Sequence, residues 1–355
     1  MTLTDPSTQV RPGEEIDARV IDAFLKDNIE GLEGSPSISQ FPGGASNLTY
    51  LVAYPGREFV LRRPPFGEKA KSAHDMGREF RILNQLNSGF PYCPKAYVHC
   101  TDTAQIGSEF YVMERVRGVI LRSDIPTGLG LDARRTEHLC KSFIDRLVQL
   151  HQVDYQACGL ADLGKPEGYV QRQIEGWSSR YDKALTPDAP HWEQVMAWLR
   201  EKMPADHPRP GIVHNDYRFD NVILDAENPM RIIGVLDWEM ATIGDPLMDL
   251  GNSLAYWIEA TDPPAVQLMR RQPSNAPGML TRRQFVDHYA ERAGIRLDNF
   301  DYYYCYGLFR LAGIVQQIYY RYYHGQTQDK RFAQFIDMNR LLEQMTLQVI
   351  DKSAL

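Results

Sequence analysis

The apolar positions of this chain keep two different rhythms, and the change falls near residue 120. Before it, short runs of β-branched and aromatic residues are punctuated by turn residues, the mark of strands. Residues 37–41, 49–54 and 58–62 are predicted as three strands; a Gly-Gly-Ala-Ser-Asn loop joins the first two, and Pro55-Gly56 turns the second into the third. Met76, Phe80, Leu83 and Leu86 then recur at helical spacing, and "KAYVHC" and "SEFYVMERV" return to the strand pattern. Upstream, Ile16, Val20, Ile21, Phe24 and Leu25 share one face of a helix that is expected to pack on this small sheet, away from any site.

Beyond 120 the period becomes helical. Leu139, Phe143, Leu147 and Leu150 mark one helix, residues 167–185 and 192–203 two more, and 246–260, 281–294 and the tyrosine-rich 298–325 complete the series. Two short apolar stretches, 211–225 and 230–241, interrupt it with strand-and-loop character. The expected division is a tail and helix at 1–36, a small antiparallel-sheet lobe with one main helix at 37–115, and a larger, mostly helical lobe at 116–355, an α+β chain.

Composition narrows the function classes. The chain has 355 residues, 43% hydrophobic and 24% charged, which suits an ordinary globular protein of two lobes. A net charge of −7 argues against general nucleic-acid binding. Five scattered cysteines without a CxxC pair point to reduced thiols rather than a disulfide framework or zinc site. No apolar run approaches the roughly 18 residues that span a bilayer, and the first residues lack a signal-like apolar core. A cytoplasmic location without membrane attachment is the expectation.

Between Gly-Ile-Val and Val-Ile-Leu, the stretch "GIVHNDYRFDNVILD" (211–225) crowds a His, two acids, an Arg and two Asn. A polar turn, with Asp216 and Asn221 capping backbone amides, would explain the loop alone. Other pieces stand with it in order. Ser46 and Asn47 in "FPGGASNLTY" are placed to cover phosphates together with backbone amides. Alternation in "FVLRR" puts Val60 and Arg62 on one face, Val60 under an adenine ring and Arg62 towards the α/β-phosphates. Glu79, on the next helix, sits where it can pair with that cation, and backbone groups around Glu114–Val116 are placed to read the adenine edge. The spacing His214-x-Asp216-x-x-x-x-Asn221, followed by Asp237, has the form of a kinase catalytic loop and its later metal-binding Asp.

"VHNDYRFDNVILD" and "GVLDWEMATIGDPLMDLGNSLAYW" resemble the aminoglycoside phosphotransferase and choline kinase-like family. The D-W-E-x-A-x-x-G-D-P-x-x-D-L run differs from the D-F-G of protein kinases, and no A-P-E segment follows. "FVLRRPPFG", "VMERVRG" and "GYVQRQIEGWSSRY" resemble the branch fused to acyl-CoA dehydrogenases, which is associated with phosphorylating hydroxylated fatty acyl groups. The resemblance implies a protein-kinase-like bilobal fold, use of ATP and Mg2+, and a small hydroxylated acceptor. It makes Asp216 the catalytic base, Asn221 and Asp237 the metal ligands, and Arg218 a stabiliser of charge developing in transfer. His214 would brace the loop, while Asp245 and Asp249 would hold the loop after the metal site and cap the helix beginning near Pro246. Arg62 stands where most kinases use Lys, as it does in the fused branch.

Arg172, Trp177, Arg180, Arg310, Tyr319, Tyr320 and Arg321 suit a carboxylate or CoA better than a polycation, and Arg172, Trp177 and Tyr319 are the candidate acceptor contacts. Choline, homoserine or an aminoglycoside remains the alternative acceptor. A nucleotide-binding pseudokinase partnering a dehydrogenase is the alternative from another class, although pseudokinases usually lack the base or a metal ligand, and this chain retains all three residues.

Overall fold

The computed structural model describes residues 6–42, 47–65 and 75–355. Most of the glycine-rich loop, including Ser46, therefore lies outside the described residues. The chain forms two compact units: Met1–Ile120 with Tyr155–Leu160 and Val222–Glu239, and Leu121–Asp154 with Ala161–Asn221 and Met240–Leu355.

The first unit opens with α1 (Ala18–Asn28), whose first turn is capped by Asp17 accepting from the Arg19 N–H at 2.8 Å. Then follow β1 (Ser37–Gln40), β2 (Leu48–Tyr54), β3 (Arg57–Arg63), α2 (Met76–Leu86), β4 (Ala96–Cys100) and β5 (Phe110–Glu114), the predicted series of three strands, helix and two strands. The sheet is antiparallel throughout, in the order β1-β2-β3-β5-β4. Tyr54 pairs with Arg57 across Pro55-Gly56, and Gly56 has φ +79°, the left-handed second position of a type II turn. Alternation along the strands gives the sheet two unlike faces. Tyr50, Val52, Phe59, Leu61, Phe110 and Val112 bury one face against Ile21 and Leu25 of α1, as the pattern predicted. The opposite face carries Val60 and Arg62. The 222–239 segment of this unit forms a strand pair that lies on the chain just after β5: Val119 and Leu224 exchange backbone hydrogen bonds at 2.8 Å. A Cβ on Gly118 would stand 2.3 Å from the Leu224 carbonyl oxygen, so only glycine permits this approach.

The second unit is helical around a short strand pair. In chain order it contains α3 (Ala133–His151), α4 (Tyr169–Lys183), α5 (Glu193–Glu201), β6 (Gly211–Val213), the first unit's β7 (Val222–Leu224) and β8 (Ile232–Val235) intervening, then β9 (Thr242–Gly244), α6 (Pro246–Ala255), α7 (Pro264–Gln267), α8 (Arg282–Ala293), α9 (Asp301–Tyr323) and α10 (Phe335–Lys352). α9, the tyrosine-rich segment, is the core of the unit rather than a surface: Tyr306, Leu308 and Phe309 are fully buried. Gly251 of α6 and Gly307 of α9 let the two backbones touch, since a Cβ on either would meet the other helix at 2.1 Å. The periodicity did not reveal α10. Its core face includes Asn339 and Thr346, polar residues that dilute the apolar rhythm, and Asn339 is satisfied by Trp192 Nε1 at 2.9 Å and Gln316 Oε1 at 2.7 Å. Among the described residues no helix is long and apolar enough to cross a membrane.

Candidate active site

In the first unit, β3 and α2 bring Arg62 and Glu79 together as predicted. Arg62 pairs in the sheet with Thr49 and Tyr111, and its guanidinium reaches Glu79 Oε1 at 2.6 Å, Asp237 Oδ1 at 3.1 Å and Glu239 Oε2 at 3.5 Å. Burial alone would lower the Arg62 pKa, but the surrounding carboxylates hold it well above its ordinary value. Burial pushes Glu79 upward against the opposing pull of Arg62, and the charge of Asp237 adds to the rise. Arg78 donates to the Glu239 carbonyl oxygen at 3.2 Å. Three carboxylates thus gather around the Arg62 guanidinium. Asp237 takes φ +66°, a conformation uncommon outside glycine, between β8 and a 3-10 turn over Trp238–Met240. Asn47, expected at the phosphates, is buried and donates to Glu239 Oε2 at 2.9 Å, which ties the start of β2 to the same charge cluster. Val60 is buried beside this cluster. Glu114 is exposed and accepts from the Lys95 N–H at 3.2 Å, while Val116 covers Gly234, where no Cβ would fit comfortably.

In the second unit, the loop after β6 carries Asp216, Arg218 and Asn221. Asn221 Nδ2 donates to the Asp216 carbonyl oxygen at 2.8 Å and to Asp216 Oδ2 at 2.9 Å. With its amide nitrogen so engaged, its Oδ1 is the end available to a cation. Arg218 lies against Asp216, Nε to Oδ1 at 2.9 Å, and stacks on the Tyr256 ring at 4.6 Å. The residue before the base, Asn215, is held in left-handed backbone, φ +65°, by contacts on nearly every polar group. Its N–H donates to Asp249 Oδ1 at 2.7 Å, its carbonyl accepts from Arg310 at 2.8 Å, its Nδ2 donates to Met240 O at 3.1 Å, and its Oδ1 accepts from Asn252 at 3.1 Å.

Asp249 departs from its expected place. It lies in the first turn of α6 but accepts from the backbone N–H of His214 at 2.7 Å as well as that of Asn215, so it holds the loop carrying Asp216 rather than the loop after Asp237. Although burial opposes it, hydrogen bonding and charge from His151, 3.1 Å away, keep its carboxyl below the ordinary 3.8. Asp245 caps α6 as predicted, accepting from the Leu247 N–H at 2.8 Å. His151, Arg310 and Asn252 were not assigned to this clamp by the sequence, because each is at least 37 positions from its partner.

The structure does not gather the candidate acceptor contacts. Arg172 folds back onto the carbonyls of Lys165 and Glu167, ahead of its own helix. Trp177 packs in the helical core under the guanidiniums of Arg180 and Arg310, and Tyr319 donates to Asp188 at 2.7 Å in a separate cluster. An apolar cavity of about 150 Å³ is found instead among Tyr256, Met269, Leu311, Ile314, Phe335 and Met338. Its one cation is Arg271, which among the described residues has no ion-pair or hydrogen-bond partner. Tyr256 is shared between this cavity and Arg218 beside Asp216. A larger hollow of about 820 Å³ around Asp124–Ala133 and Arg270–Pro277 shares no residue with the loop. Among the described residues no three His, Cys, Asp or Glu side chains gather as a metal site. Mg2+ does not require such a cage, since it takes one or two protein oxygens together with waters and phosphates. In the first unit the half-exposed Asp237 carboxylate, and in the second Asn221 Oδ1, each offer an oxygen of that kind.

Comparison with known proteins agrees with the pattern. The profile of the Phosphotransferase enzyme family matches residues 37–285. Acyl-CoA dehydrogenase family member 11 of Homo sapiens is 33% identical over 96% of this chain, which spans 44% of that relative's length. A Ralstonia eutropha JMP134 protein provisionally named an aminoglycoside phosphotransferase is 30% identical, with a TM-score of 0.81 over 96% of this chain and 100% of that one. The choline kinase of Cryptosporidium parvum Iowa II, 13% identical, shares the fold with a TM-score of 0.64 over 95% of this chain and 96% of its own.

Proposed function

The chain belongs to the phosphotransferase enzyme family, as a small-molecule O-phosphotransferase with a kinase-like α+β fold, and from that premise we propose that it transfers the γ-phosphoryl group of ATP to the hydroxyl of a hydroxy acid or hydroxyacyl-CoA. The acceptor O–H bond breaks with its proton passing to Asp216, an O–P bond forms, and the bond to the leaving ADP breaks. Asn221 and Asp237 are the proposed Mg2+ ligands. The ion, when bound, offsets phosphate charge and orients the phosphates. Arg62, fixed by Glu79, presents its remaining donor surface to the phosphates, and Asn215 with Asp249 keeps the base from drifting.

The observation that carries the acceptor class is the cavity beside Tyr256. A partly open apolar space of about 150 Å³ is of the size that holds a benzene-sized group, and the exposed Arg271 at its wall suits an anionic head. A polycation would meet an unpaired guanidinium there. The relatives carrying a dehydrogenase name support an acyl-CoA dehydrogenase as the partner class.

ADP release with Mg-ATP, measured against hydroxyacyl-CoAs, free hydroxy acids, choline, homoserine and aminoglycosides, tests both parts. Turnover confined to the acyl compounds, with their KM raised about tenfold in Arg271→Gln, is expected. Turnover on choline or an aminoglycoside alone would reject the acceptor class and keep the transfer chemistry. Mg-ATP binding without turnover on any acceptor would favour the scaffold.

A further inference from the structure

Arg218 does not touch the base alone; it lies between two carboxylates. Its Nη2 donates to Asp216 Oδ2 at 3.2 Å and lies 3.3 Å from Asp220 Oδ2. Its Nε is 2.9 Å from Asp216 Oδ1, yet the N–H is not aligned for a hydrogen bond. Asp216 Oδ2 therefore accepts from both Arg218 and Asn221, while Arg218 Nε lies over Oδ1 without a hydrogen bond. The guanidinium thus shares the approach to Asp216 with an incoming hydroxyl, and a shift towards Asp220 would widen that approach. The Tyr256 ring at 4.6 Å supports a sliding movement of Arg218 in its own plane rather than a swing into solvent. On the other side, Asp220 Oδ1 is buried and has no hydrogen-bond partner among the described residues, although the charge of Arg122 also acts on this carboxylate. A buried acceptor without a partner is costly unless something fills it for part of the cycle.

We infer that Asp220 is a positioning residue for the transfer, the second berth of Arg218, which lets the guanidinium uncover Asp216 while keeping its charge at the reacting centre. With Arg218 on Asp216 the guanidinium crowds the base; with Arg218 moved onto Asp220, Asp216 is freer to face the acceptor and the guanidinium remains close enough to stabilise the phosphoryl group. The inference rests on Asp216 being the base.

The test compares steady-state kinetics of the full chain, with Mg-ATP and the best acceptor, for wild type, Asp220→Asn, Arg218→Lys and the double variant. Asp220→Asn keeps the shape and removes the charge, so kcat is expected to fall about tenfold while both KM values stay within about twofold. Arg218→Lys is expected to fall similarly, because a point charge cannot bridge two carboxylates as a planar fork does. The double variant should be no slower than Arg218→Lys, the non-additivity of groups acting as one unit. Unchanged kcat in Asp220→Asn, or effects that multiply in the double variant, would overturn the inference. Should Asp220→Asn not fold, undiminished kcat in Arg218→Lys overturns it equally. Full turnover in Asp216→Asn would be a different failure, that of the base assignment itself.

Discussion

The two units hold their working residues in opposite ways. In the first, charges hold one another: Arg62 is fixed by Glu79, Asp237 and Glu239, and one of the groups that fix it, Asp237, is also a proposed metal ligand. In the second, Asp216 and Arg218 ride on a loop whose backbone is clamped by residues that do no chemistry, Asp249 on two N–H groups and Arg310 on a carbonyl. The buried carboxylates show the contrast in sign. Burial raises Glu79, whereas donors keep Asp249 low. A site built from mutually paired charges ties function to stability, while a clamped loop separates them.

Three substitutions sharpen or break that comparison. Asp216→Asn should lower kcat about a thousandfold, equivalent to about 4 kcal/mol of barrier, and leave the thermal midpoint nearly unmoved. A large loss of stability in that variant, seen by calorimetry, would remove the claimed separation. Glu79→Ala should reduce both activity and stability, the latter by about 3 kcal/mol, because it leaves a buried guanidinium with only partial partners. Urea unfolding alongside ATP affinity checks this, and a variant that is stable but inactive would contradict it.

Asp249→Asn should cost about 2 kcal/mol at neutral pH through the two backbone donors it serves. Its native pKa lies below 3.8, so its contribution is present above that value and drains away as pH falls through the native one. The variant should therefore lose the part of the acid-side decline in stability that belongs to this carboxylate. Glu79 has the reverse sign: its contribution is present below the ordinary 4.5 and lost as pH rises through the raised native value. Chemical denaturation across the acid range reads both slopes, and parallel curves for wild type and Asp249→Asn would show that Asp249 is not held low.

Much of the first unit was legible because its signals are local. Turn chemistry at Pro55-Gly56, alternation through Val60 and Arg62, and helical spacing through Glu79 each act over a few residues. Asp216, Asn221 and Asp237 were singled out as candidates by spacing within one segment of the chain. The acceptor contacts were not. Arg172, Trp177 and Tyr319 have the right chemistry for an anionic acceptor, yet the fold gives them a loop carbonyl, a packed core and Asp188 as partners. Arg271, which lines the cavity, belongs to a stretch with no motif of its own, and Tyr256 ends the family run without any local sign that it borders a cavity.

By itself the sequence determined the order of strands and helix in the first unit's sheet, the family, and the candidates for proton abstraction and cation binding, because backbone periodicity and motif spacing are short-range properties. Only the tertiary structure decided which polar groups are partners over long separations: Asp249 beneath His214 and Asn215, Arg310 on the Asn215 carbonyl, and Arg218 between Asp216 and Asp220 with Tyr256 behind it. The physical reason is that a side chain's role follows from what burial leaves beside it, and burial is a property of the packed chain rather than of any segment.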